Sequence, residues 1–164
     1  MLQSSRILKV AAGLAIVIAG VATAQTRPKE GRYDYTSCYS SVSNAISFSK
    51  THSANTYELM GTILSNPPGG LFDKSAIRCV GMSRSFAGKV AGTAACEGVD
   101  PDGDKFLYTV SAQEGKTVRE NIAGTGKYDG MVASGMTESM GPFPEIKAGT
   151  FQNCNHQTGT YKLK

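Results

Sequence analysis

After Gly31 the chain alternates apolar and polar residues with a period of two, most clearly over residues 77–113. There the alternation predicts two hairpins sharing a middle strand, with strands at 77–83, 89–97 and 105–113. The second turn is Asp100-Pro101-Asp102-Gly103-Asp104. Proline presets φ for its first position, and glycine accepts the left-handed conformation that a three-residue hairpin loop needs. Directly opposed antiparallel residues keep a constant index sum, so this turn sets Gly98 opposite Phe106, Cys96 opposite Tyr108 and Ala94 opposite Val110. Small residues then face large ones, as a tapered barrel interior or a sandwich core requires. The preceding turn at Ala87-Gly88 places Cys79 opposite Cys96 on the same face.

The remaining chain carries the same period. Tyr33, Tyr35 and Ser37 share one side of a first strand, with Asp34, Thr36 and Cys38 on the other. Further runs cover 42–50 and 56–64, separated by a polar loop at 51–55. Asn66-Pro67-Pro68-Gly69-Gly70 forbids regular structure. The Leu71-Phe72 pair that follows is expected to fold over something, either as a plug at one barrel end or as a lid over a ligand.

Beyond Gln113 the register decides which face is buried, because a one-residue shift exchanges the two faces of a strand. A three-residue loop sets Val118 opposite Ala112, Ile122 opposite Tyr108 and Glu120 inward opposite Val110. A two-residue loop turns Arg119 and Asn121 inward instead. Hydrophobic matching favours the first. Glycine-rich segments at 124–131 and 132–137 suit curved strands, and a closing strand spans 149–163, interrupted near 157–159. No apolar helical period of three turns follows residue 24. Eight or nine short strands result, best arranged as an antiparallel, calycin-like barrel whose closure removes sheet edges, with a two-sheet sandwich as the alternative.

The chain's 164 residues suit one domain, but its start does not belong to that domain. Arg6 and Lys9 precede an apolar run at 10–21 and then Ala22-Thr23-Ala24, the order of a cleaved secretory leader. The apolar run is shorter than the roughly 20 residues of a spanning helix. The organisation is therefore a signal peptide at 1–24, a linker at 25–30 and a barrel domain at 31–164. No membrane association is expected after cleavage, and the product is periplasmic or secreted.

Cleavage removes two basic residues and no acidic one, lowering the formal charge from +4 to +2. So small a charge gives no reason to expect nucleic acid as a partner. Four cysteines survive, an even count that reads as two disulfides in an exported protein. Cys79–Cys96 follows from register, leaving Cys38–Cys154 to join the first strand to the last. In the chain-entropy model such a long loop closure is worth about 4–5 kcal/mol.

The Gly-x-Gly-x-Tyr-x-Gly spacing at Gly124 to Gly130, the hairpin from Gly88 to Val110 and the ending Cys154-Asn155-His156-Gln157-Thr158-Gly159-Thr160-Tyr161 carry a resemblance. The chain resembles the allene oxide cyclase and dirigent group of small barrels, and more narrowly exported bacterial proteins of that type. That resemblance implies eight antiparallel strands, an apolar central cavity and, often, a homo-oligomer, dimeric or trimeric. It carries over no catalytic residue.

Several features are candidates for chemistry. Asp100, Asp102 and Asp104 alternate like the start of a calcium loop, but Ser111 stands where the bidentate glutamate belongs, so they read as turn carboxylates. Cysteine and histidine spacings fit no zinc site. Gly124-Thr125-Gly126 lacks a following helix to complete a phosphate cradle. No metal and no cofactor is therefore expected. His156 shares strand parity with Cys154 and would reach a ligand if that side is interior. Glu120, if inward, would be poorly solvated and suited to acid–base work beside Tyr108; the competing position is outward and solvated. Phe72, Phe106, Tyr108 and Val110 are the candidate ligand-binding side chains. The expected function is binding of a small apolar or aromatic molecule in the barrel. A cyclase or isomerase using Glu120, and a structural envelope protein with a filled barrel, are the alternatives.

Overall fold

The computed structural model describes residues 28–141 and 143–164. The expected leader and its cleavage site lie outside the described residues. Among the described residues eight strands form a single antiparallel sheet: β1 (Glu30–Ser49), β2 (His52–Ser65), β3 (Ala76–Phe86), β4 (Lys89–Val99), β5 (Lys105–Gln113), β6 (Lys116–Gly124), β7 (Val132–Ser139) and β8 (Thr150–Lys162). Their order is β6-β5-β4-β3-β2-β1-β8-β7. The first strand pairs with the last, and the two edges, β6 and β7, approach each other without joining the ladder. The result is a nearly closed barrel rather than a sandwich. Among the described residues no helix is long and apolar enough to cross a membrane.

The expected pairings in the central hairpins are all present: Cys79 faces Cys96, Gly98 faces Phe106, Cys96 faces Tyr108 and Ala94 faces Val110. Gly103 adopts a φ of 86°, and the Asp100 amide donates to the Asp104 carbonyl at 3.0 Å, closing the three-residue loop. Both disulfides form, each between directly opposed residues. Cys79–Cys96 lies inside the barrel, and Cys38–Cys154 clamps β1 to β8 from outside.

Four boundaries differ from expectation. The runs at 33–38 and 42–50 are one strand, β1, because no glycine or proline interrupts the alternation between them. The polar loop expected at 51–55 is a tight turn, with β2 starting at His52. Residues 126–128 form a 3-10 turn rather than part of a strand. The closing strand runs unbroken through Gly159.

That continuity has a steric reason. Gly159 sits opposite Tyr33, and a Cβ there would stand 2.5 Å from the Tyr33 ring. Three further directly opposed pairs repeat the device: Tyr39 with Gly61, Tyr57 with Gly81, and Phe106 with Gly98. Gly159, Gly81 and Gly98 leave room for the ring on the next strand and Gly61 for the close approach of the Tyr39 backbone and Cβ, so large side chains fit a narrow interior without forcing the strands apart.

One prediction follows from the tightest pair. A Cβ on Gly98 would lie 2.0 Å from the Phe106 ring. Gly98→Ala should lower unfolding free energy by about 1–3 kcal/mol, the usual cost of overpacking, read from urea midpoints. The same substitution should cost markedly less in a Phe106→Leu background. An equal cost in both backgrounds would contradict the assignment.

Candidate functional site

One end of the barrel is closed by an aromatic plug. The loop between β2 and β3 drops Leu71 and Phe72 into the interior, where both are buried. Phe72 packs against the rings of Tyr33, Tyr35, Phe106 and Tyr128, with centroids 5.2–5.8 Å apart. The Tyr128 hydroxyl donates to the Leu71 carbonyl at 2.8 Å, tying the 3-10 turn to the plug. Of the two readings of Leu71-Phe72, the structure shows the plug.

Carboxylates hold the loops at this end. Asp73 accepts from the Ser65 and Gly69 amides, each at 2.8 Å. Those backbone bonds, Gly69 first, keep its carboxyl below the usual range. Burial of Asp100 would raise its carboxyl, but bonds from the Lys127 ammonium and Tyr128 outweigh it and lower it. Lys127 Nζ lies 2.5 Å from both Asp100 and Asp102, and the Asp104 carboxylate accepts from the Lys127 amide at 3.0 Å. The three aspartates are thus occupied in shaping their own turn. Among the described residues no group of side chains is arranged to hold a metal ion.

Above the plug the interior is not completely filled. A chamber of about 130 Å³ is walled on one side by Leu59, Ile77, Ala94, Val110 and the Cys79–Cys96 disulfide. Ser37, Tyr39, Asn155, Gln157 and Arg119 line its other side. Polarity divides by strand, with β2 to β5 supplying the apolar wall and β1, β6 and β8 most of the polar one. Larger concavities of about 520 and 580 Å³ lie against the sheet ends, but many of their lining side chains, Met82, Arg84 and Val118 or Arg32, Ser134 and Lys162, sit at outward strand positions.

Arg119 is the central polar group. Its Nη1 donates to Gln157 Oε1 and, at 3.4 Å, to the Tyr35 hydroxyl, which itself donates to Gln157 Oε1 at 2.8 Å. The guanidinium carbon stands 5.4 Å from the centre of the Tyr108 ring, within range of a cation–π interaction. Arg119 Nε is buried without a hydrogen-bond partner. Arg119 also borders a smaller gap of about 30 Å³ beside β7, lined by Phe72, Phe106 and Tyr108. Burial raises the pKa of Tyr35, Tyr108 and Tyr33 despite the nearby guanidinium, so their hydroxyls stay neutral.

The candidates from the sequence are dispersed by this geometry. Tyr108 and Val110 line the chamber, while Phe106 and Phe72 belong to the plug below it. Glu120 is corrected: it faces Thr109, not Val110, and is exposed on the outer surface. The β5–β6 loop has two residues, with Glu114 and Gly115 at φ of 50° and 81°, which sets Val110 opposite Arg119 and Ser111 opposite Val118. Hydrophobic matching failed because the outer surface is itself apolar there, with Val118 62% and Ile122 53% exposed. His156 also lies outside, its Nε2 2.9 Å from Asp34.

Sequence reasoning passed over Gln157, Asn155, Ser37 and Tyr39, and it placed Arg119 inward only under the register it did not favour. The usable signal was Glu114-Gly115, a two-residue turn in which glycine takes the second left-handed position. The fold and chamber define a class, a small disulfide-linked antiparallel barrel with an amphipathic interior. No family model matches the chain, and neither does any curated protein or solved structure.

The Asp73 contacts predict a pH signature. A depressed carboxyl pKa means stabilisation fully present above the ordinary value of 3.8 and lost as pH falls through the lower folded value. Asp73→Asn should lower Tm at pH 7 by about 3 °C, corresponding to about 1 kcal/mol for a largely solvated carboxylate. The gap between variant and parent should close towards pH 2. A gap that persists in acid would contradict this role.

Proposed function

We propose that this protein is an exported binding protein that holds one compact, largely apolar or aromatic molecule inside its barrel. The observation that carries the reading is the chamber above the plug, space left open inside the barrel and walled on one side by apolar side chains. A cavity of roughly 150 Å³ with apolar walls accommodates benzene, so about 130 Å³ suits a single ring with a short substituent. Two disulfides fit an oxidising compartment, in keeping with the leader-like start and a periplasmic or secreted location. The resemblance to allene oxide cyclase and dirigent barrels, which keep an apolar cavity, supports the same reading.

The plug fills one end of the barrel and favours a structural role for that end alone, since the chamber lies beyond it. The cyclase or isomerase reading loses its acid–base group, because Glu120 lies on the opposite face of the sheet from Tyr108.

Benzyl alcohol, a neutral single-ring probe, tests the proposal. Titration followed by tyrosine fluorescence should saturate, since Tyr39, Tyr57 and Tyr108 line the chamber. Ala94→Leu, which fills the chamber from the apolar wall, should weaken binding at least tenfold while the protein stays folded by circular dichroism. No saturable response, or undiminished binding to folded Ala94→Leu, would overturn it.

A further inference from the structure

Resting on the interior-binding reading, we propose that the chamber selects a compact monocarboxylate with an apolar, preferably aromatic, body, and that Arg119 binds the carboxylate. The first argument is charge. Among the described residues no carboxylate stands within ion-pair distance of Arg119. Its polar neighbours, Gln157 and the hydroxyl of Tyr35, are neutral. Arg119 is partly buried; a guanidinium partly withdrawn from water without a countercharge carries a cost that an anion delivered by a ligand offsets.

The second argument is geometry. Nη1 makes both hydrogen bonds of this guanidinium, whereas Nε is buried without one. Nε–H and Nη2 therefore have no protein partner, and a small rotation of the side chain that uncovers Nε would turn two parallel N–H donors on one edge toward the two oxygens of a carboxylate. The third argument is the apolar wall. Leu59, Ile77 and Ala94, with Val110 beside Arg119 on the neighbouring strand, offer nothing to a second charge, so the rest of the ligand must be apolar. Size limits it to about one ring.

Isothermal titration with benzoate, benzyl alcohol and inorganic phosphate tests this on the mature protein. Benzoate should bind at least about tenfold more tightly than benzyl alcohol, as expected for charge-assisted hydrogen bonds. It should also bind more tightly than phosphate, which has charge but no apolar body. Arg119→Met should erase the preference for benzoate and leave benzyl alcohol within about threefold. Arg119→Lys, which keeps the charge but not the paired donors, should fall between. Because the comparison among probes is made on the unmutated protein, it stands even if a variant fails to fold. Equal binding of benzoate and benzyl alcohol would overturn carboxylate selection while leaving interior binding intact. Phosphate binding as tight as benzoate would overturn the requirement for an apolar body. Binding of none of the probes would overturn both readings together.

Discussion

An eight-stranded barrel is narrow, and four of the aromatic residues inside this one stand directly opposite a glycine on the neighbouring strand. Tyr33 over Gly159, Tyr39 beside Gly61, Tyr57 beside Gly81 and Phe106 against Gly98 are all directly opposed pairs. In each, a Cβ on the glycine would come within 2.6 Å of the aromatic residue. Strand curvature, register and interior packing therefore impose one another. A slip of one residue on any of these strands would drive a ring into a side chain and turn its apolar face outward.

Two further constraints fix where the packed interior ends. β1, twenty residues long, pairs with both β2 and β8, and Cys38–Cys154 fastens the latter pairing from outside. At the end bearing the longer loops, Phe72 and Tyr128 complete the ring cluster that begins with Tyr33 and Phe106. The other end is built mainly from tight turns, at Lys50-Thr51, Ala87-Gly88 and Glu114-Gly115, and among the described residues it contributes no plug. The chamber lies above the level at which the cluster stops. Its polar side is built around Arg119 and Gln157, so interior space and an interior cation coincide.

Much of the fold was legible because turn chemistry is local. Pro101 and Gly103 announced their hairpin, Ala87-Gly88 announced the one before it, and index arithmetic then brought Cys79 to Cys96 and Tyr108 to the inner face. The site was less legible because its key residue depends on a register that hydrophobicity misjudges. Val118 and Ile122 look like core residues, yet they lie on the outer surface. Likewise Ser37, Asn155 and Gln157 carry no apolar side chain to mark their face as interior, although their parity turns them inward. Period alone cannot separate the faces of a sheet when both carry polar and apolar residues. The two left-handed residues of the Glu114-Gly115 turn, acting on the backbone, decided the matter.

The central claim is that the guanidinium of Arg119 sits inside the barrel with an unanswered charge and a spare pair of donors. The Arg119 Nε–H resonance in a proton–nitrogen correlation spectrum reports on that group alone. On adding benzoate it should shift downfield and exchange more slowly with water, while the Nε–H signals of Arg78 and Arg84 stay in place. An Arg119 resonance that remains unmoved at saturating benzoate would contradict the account.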